Sequence, residues 1–159
     1  MADPIYGGFW RRVGATIIDG IIVNVPLHVL GWLSPGLLYQ TFEMPEEMAG
    51  ETFTTVSPQG FAISVLTWWL YEALMTSSRQ QATVGKMAAN LVVTDRGGAR
   101  LSFIHASGRH FAKYLSTLFF GFGMLMVAFT RRKQGLHDKL AGTLVIEPDI
   151  DTTRRDAGF

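Results

Sequence analysis

Two carboxylates sit where carboxylates are expensive. Asp19 lies within the apolar run 13–33 and Glu72 within the run 61–77. An ionised side chain at the centre of a membrane helix costs about 2.5–3.5 kcal/mol on insertion scales, so each must face protein or water. Burial raises a carboxyl pKa and permits proton exchange near neutral pH. The chemistry on offer is therefore a proton or cation relay through Asp19, with Glu72 as a second station. The structural alternative is that Asp19 pairs with an arginine or caps backbone, and that Glu72 snorkels to the interface. On a helix, Ala15, Thr16, Val23 and Pro26 share the side of Asp19, and Asn24, His28 and Gly31 form a second polar or small stripe. Asn24 and His28 are thus further pathway candidates. Ser64 and Trp68 share the face of Glu72.

Other chemistry is thin. There is no cysteine, which excludes disulfide scaffolds, iron–sulfur clusters and thiol nucleophiles. Gly85-Lys86 resembles the end of a P-loop, but Gln80 replaces the upstream glycine and Met87 the hydroxyl residue. His105, His110 and His137 lack metal-ligand spacing. No serine has a Gly-x-Ser-x-Gly context. Neither a metal, a cofactor nor an enzyme activity is expected. With 14 basic and 13 acidic residues the chain is close to neutral, which argues against nucleic acid as a partner. The cations of residues 96–113, interleaved with Phe103, Phe111 and Tyr114, suit anionic lipid headgroups better.

The elements that must position these groups are membrane segments. Charged residues make up 17% of the 159-residue chain, against about 25% in an average soluble domain. They are nearly absent from residues 13–33, 61–77 and 114–130. The first run would cover about 31 Å as a helix, enough for a bilayer core. It is too long for a signal-peptide core and no small-x-small site follows it, so it is expected to remain as an anchor. Arg11 and Arg12 precede it. The 34–60 loop carries Glu43, Glu46, Glu47 and Glu51 and no cation, whereas 78–110 carries Arg79, Lys86, Arg96, Arg100 and Arg109. The positive-inside rule then puts the N-terminus and 78–110 in the cytoplasm and 34–60 outside.

The third segment resists the same rule, because a simple span would place Arg131, Arg132, Lys133 and Lys139 outside. It is either a true span or a re-entrant hairpin broken near Gly121–Gly123. Residues 90–103 read as a β-hairpin turning at Asp95-Arg-Gly-Gly98, and residues 142–146 as a strand that could join it. That pairing would hold both flanks of the third segment on one side. The expected fold is mostly α and integral to the membrane, a single domain over residues 6–146 followed by a polar tail at 147–159.

Three blocks carry a resemblance: Tyr6-Gly-Gly-Phe-Trp-Arg-Arg-Val-Gly-Ala-Thr-Ile-Ile-Asp19, Gln81-Ala-Thr-Val-Gly-Lys-Met-Ala-Ala-Asn-Leu-Val-Val-Thr-Asp95 and Arg132-Lys-Gln-Gly-Leu-His-Asp-Lys-Leu-Ala-Gly-Thr-Leu-Val145. In order and spacing they resemble the RDD family of bacterial membrane proteins, named for an arginine and two aspartates, here Arg12, Asp19 and Asp138. Gly14 stands where an alanine is more usual. The resemblance implies a multi-pass inner-membrane protein with three membrane segments. Transport of unidentified ligands has been suggested for the family, and most members have no assigned function.

The resemblance directs attention to Arg12 and Asp138. If both are cytoplasmic they could form a charge pair closing the inner face, with Arg109 and His137 as further candidates for the pair or gate. Asp138 could instead cap the short helix that begins at Lys139, and the block could be a structural latch. The leading expectation is a small transport protein or transporter subunit using Asp19, working as a homo-oligomer or with a membrane partner. The alternative is a non-transporting scaffold or assembly factor that binds a partner protein or anionic lipid at its cytoplasmic face.

Overall fold

The structure is a computed structural model and describes residues 4–43, 52–118 and 122–148. The first apolar run becomes one helix, α1 (Phe9–Leu33), which begins before the expected boundary and carries Pro26 inside it. Among the described residues it is the one helix long and apolar enough to cross a membrane by length and composition. The second run becomes α3 (Pro58–Ser77), of 20 residues or roughly 30 Å. Its start follows from local chemistry. Ser57 Oγ accepts the Gly60 N–H at 3.0 Å, and Pro58 occupies the first helical position, where a missing N–H costs nothing.

The chain divides into two units, Gly20–Leu70, and Met1–Asp19 together with Tyr71–Phe159. Within the first, a short helix α2 (Pro35–Leu38) leads into β1 (Tyr39–Glu43), which pairs antiparallel with β2 (Thr52–Val56) and sets Phe42 opposite Phe53. The strands stand where the sequence suggests only an acidic loop. Its alternating Thr and Phe residues are the strand signal.

The second unit holds α4 (Val84–Ala88), β3 (Val92–Asp95), α5 (Phe103–Leu118), α6 (Phe122–Phe129), α7 (Leu136–Ala141) and β4 (Thr143–Ile146). The expected hairpin at 90–103 forms only its first arm. Asp95 Oδ1 accepts the N–H groups of Gly97 and Ala99, both at 2.8 Å, so the turn closes on the aspartate. Ser102 Oγ then accepts the His105 N–H and starts α5 where a second strand was expected. The partner of β3 is β4, antiparallel, with Val93 opposite Val145 and Asp95 opposite Thr143. The N-terminal segment extends this pairing. Gly7 N–H donates to the Val145 carbonyl and Glu147 N–H to that of Ile5, each at 2.9 Å. The expected tail is therefore tied in at its first residue, while residues 149–159 lie outside the described part.

The third segment is not one helix among the described residues: α5 ends at Leu118 and α6 begins at Phe122. Gly123 lies inside α6, so the chain is not broken there. The rest of the expected break, at 119–121, lies outside the described residues.

Burial in the long helices is inverted relative to a water-soluble protein. In α5, Arg109, His110 and Ser116 are buried, while Phe111, Tyr114 and Leu115 are exposed and Ile104 is 82% exposed. In α3, Glu72 and Thr76 are buried while Phe61, Leu66, Leu70 and Leu74 are exposed. In α1, Asp19 is buried while Ile17, Ile21, Val25 and Leu33 are exposed. Water reverses this arrangement, whereas hydrocarbon favours it.

A buried ion-pair chain as the candidate functional site

Asp19 is saturated. Its carboxylate accepts the Tyr71 hydroxyl at 2.6 Å, the Thr83 hydroxyl at 2.6 Å and the Gly85 N–H at 2.7 Å. All three donors are neutral. Tyr71 comes from α3, and Thr83 is the N-cap residue of α4, so the carboxylate ties α1 to both elements. Gly85 is there for space: a Cβ at that position would collide with the Ala15 carbonyl oxygen and crowd Asp19 Cγ. Of the two structural alternatives for Asp19, the arginine pair is not formed and one backbone N–H, that of Gly85, is capped, while two side-chain hydroxyls supply the other donors. The nearby arginine goes elsewhere.

Arg12 Nη1 lies 2.5 Å from Asp138 Oδ2. The same guanidinium donates through Nη2 to the Lys133 carbonyl and through Nε to that of Gly7. Asp138 is fully buried and accepts a second guanidinium on Oδ1, from Arg109 Nη2 at 2.7 Å and Nε at 3.1 Å. Oδ2 also takes the Gly135 N–H at 3.2 Å, so Asp138 caps α7 from inside that helix while forming the charge pair. Burial works against its ionisation, but Arg109, and with it Arg12, outweighs that and holds the carboxyl below its ordinary value.

Arg109 bridges to the second membrane carboxylate, with Nη1 3.4 Å from Glu72 Oε1. Glu72 does not snorkel to the interface. Lys113 also binds its Oε1, Lys86 Nζ stands 3.6 Å away, and His110 Nδ1 lies 2.7 Å from Oε2. These partners draw the carboxylate inward. Burial brings the Lys86 ammonium down to about 8, with Glu72 resisting the shift.

The other candidates behave differently. Asn24 Nδ2 donates to the Gly20 carbonyl, and His28 Nδ1 contacts that of Asn24, each four residues back in α1. His137 is not a group that titrates near neutrality. Burial pushes it down to about 3 against the pull of Asp138, and its Nδ1 has no partner. Thus Arg12, Asp138, Arg109 and Glu72 form one alternating chain of charges, and Asp19 stands in a separate neutral cradle. Sequence reasoning missed Tyr71, Thr83, Gly85, Lys86, His110, Lys113 and Thr143, whose hydroxyl accepts from Arg109 at 3.2 Å. The signal for Thr83–Lys86 is the second sequence block, whose Gly85-Lys86 does not complete a P-loop. Among the described residues no group of acids and histidines is placed to hold a metal ion.

The pattern described as the RDD family matches residues 6–142. Among curated proteins, the chain is 34% identical over 145 residues to the uncharacterized protein YxaI of Bacillus subtilis, covering 87% of this chain and 95% of the relative. It is 30% identical over 147 residues to the uncharacterized membrane protein YteJ of the same organism, covering 91% and 83%. No solved structure matches.

Proposed function

This chain belongs to the RDD family, and we propose that it is a non-transporting membrane scaffold or assembly factor: a multi-pass protein of the bacterial inner membrane that holds a small cytoplasmic sheet and charged face against a partner protein or anionic lipid. One observation carries the reading. Each carboxylate that could carry an ion is already engaged, Asp19 by three neutral donors, Asp138 by two guanidiniums and Glu72 by a ring of cations. A carboxylate so held fastens elements together, because releasing it would leave buried groups unpaired.

The inverted burial of α1, α3 and α5 supports a bilayer around all three helices. The β3–β4 pairing and the 2.7 Å Arg109–Asp138 bond support a third segment that turns back, with the N-terminus on the cytoplasmic side. A full span would have to bridge about 30 Å before Asp138 returned to Arg109. Neither enzyme activity nor nucleic-acid binding is part of the proposal, and self-association or a membrane partner is.

A second reading, transport of a small ion or solute, draws on the Glu72 ring, where Lys86 can lose its proton near pH 8. Reconstitution into vesicles with an imposed proton or sodium gradient separates the two. The scaffold reading expects the wild type to leave the gradient intact and Asp19→Asn to lose thermal stability. A wild type that collapses the gradient, together with a folded Asp19→Asn protein that does not, would establish transport through Asp19.

A further inference from the structure

The ion-pair chain does not balance. Four cations, Arg12, Lys86, Arg109 and Lys113, face two carboxylates, Asp138 and Glu72, an excess of two positive charges. Counting Asp19 still leaves one. The imbalance is concentrated at Glu72, where Lys86, Arg109 and Lys113 all address the single oxygen Oε1. Burying like charges together is costly unless a counter-charge accompanies them.

The donors there are also underused. An ammonium carries three N–H groups. Lys113 has Glu72 as its partner, and Lys86 has Glu72 and the Thr83 hydroxyl at 3.4 Å. Two polar atoms on the helices that carry Glu72 and Lys113 are buried and have no partner: His110 Nε2, across the ring from the nitrogen that meets Glu72, and Thr76 Oγ1, one turn from Glu72 on the same face of α3. The ring is not sealed, because the Lys113 side chain is 27% exposed. Its neighbours on α5, Tyr114 and Leu115, are exposed apolar residues.

We infer that Lys86, Lys113 and His110, grouped around Glu72, form a binding site for a phosphate-type oxyanion, supplied as free phosphate or as the phosphate of an anionic lipid headgroup. Hydrogen phosphate cancels the excess of two, and a singly charged phosphodiester headgroup cancels the one that remains when Asp19 is counted. The acceptor oxygens of either take the spare ammonium protons, and the hydroxyl of hydrogen phosphate can donate to His110 Nε2, whose ring meets Glu72 through Nδ1. The apolar residues beside Lys113 give a headgroup a route to the site with its acyl chains still in hydrocarbon. This deepens the scaffold reading by naming what the charged face holds, and the vesicle flux assay judges that reading separately.

The test uses the wild-type protein in a neutral detergent at constant ionic strength. Lysines are acetylated with a water-soluble amine reagent, with and without inorganic phosphate, and mass spectrometry reads each site against exposed Lys139. Protection of Lys113 and Lys86 by at least about threefold in phosphate, relative to chloride, supports a site that free phosphate fills. Protection absent in phosphate but present in phosphatidylglycerol nanodiscs, relative to phosphatidylcholine nanodiscs, supports the same site filled by a headgroup. Equal modification under all four conditions overturns the proposal. A phosphate-dependent rise in melting temperature should also disappear in Lys113→Gln, and its persistence in that variant would place the anion elsewhere. If that variant does not fold, the acetylation pattern of the wild type decides alone.

Discussion

Arg12 and Asp138 lie 126 residues apart in sequence and meet at 2.5 Å, Nη1 to Oδ2. The carboxylate is fully buried and its other oxygen is held by Arg109. One residue therefore fastens the start of α1, the middle of α5 and the turn into α7. Removing the carboxylate strands two guanidiniums in a dry site, and breaking a buried pair costs about 3–5 kcal/mol. Asp138→Ala should lose stability on that scale in thermal unfolding in detergent. Arg12→Ala should lose less, since Asp138 keeps Arg109, and the double variant should lose less than the sum of the two. Additive losses would mean that the pair is not coupled.

The Asp19 cradle makes a different prediction, because its donors are neutral. Thr83→Val deletes one hydrogen bond to a buried carboxylate and should cost about 1.5–3 kcal/mol. Gly85→Ala keeps every donor but forces a methyl group against the Ala15 carbonyl, where backbone cannot yield as a flexible side chain would. It should destabilise at least as strongly as Thr83→Val. A Gly85→Ala protein that melts like the wild type would show that α1 and α4 are farther apart than described.

Acid should weaken the fold through His137. Its folded pKa of about 3 lies below the ordinary 6.5, so between those values the unfolded chain takes up a proton that the folded chain refuses. Stability is full above pH 6.5 and falls as pH drops toward 3. Asp138, also held below its ordinary value, contributes stability that is present above about pH 4 and lost as pH falls through its folded pKa. Melting temperatures of wild type and His137→Gln should therefore diverge between pH 6.5 and 4.5, the wild type losing more. Parallel curves would mean that His137 titrates normally.

The parts legible in the sequence were those that follow from hydropathy and from rigid local chemistry. The apolar run before Leu33 named α1, and the cost of a charge in hydrocarbon singled out Asp19 and Glu72. Partners were harder to read, because they come from residues distant in sequence. Nothing local to Glu72 announces Lys113, and Lys86 looked like a fragment of a failed phosphate loop. The hairpin expectation at 90–103 holds for its first arm, the β-branched run Val92–Thr94, and fails for its second. The turn residues are real, but Ser102 is a helix cap, and β3 finds its partner beyond α7. The burial that pushes His137 down to about 3 likewise comes from packing between distant elements.

The proposed topology puts the pair formed by Arg12 and Asp138 at the cytoplasmic face, with the chain between β3 and β4 entering the membrane and returning. The chain has no cysteine, so single cysteines can be placed at Gly97 and at exposed Lys139 and challenged in intact cells with a membrane-impermeant thiol reagent. With that topology neither position labels until the cells are opened, and both then label. Labelling at 139 from outside, with 97 protected, would put Asp138 across the bilayer from Arg12 and contradict the ion-pair chain on which the account rests.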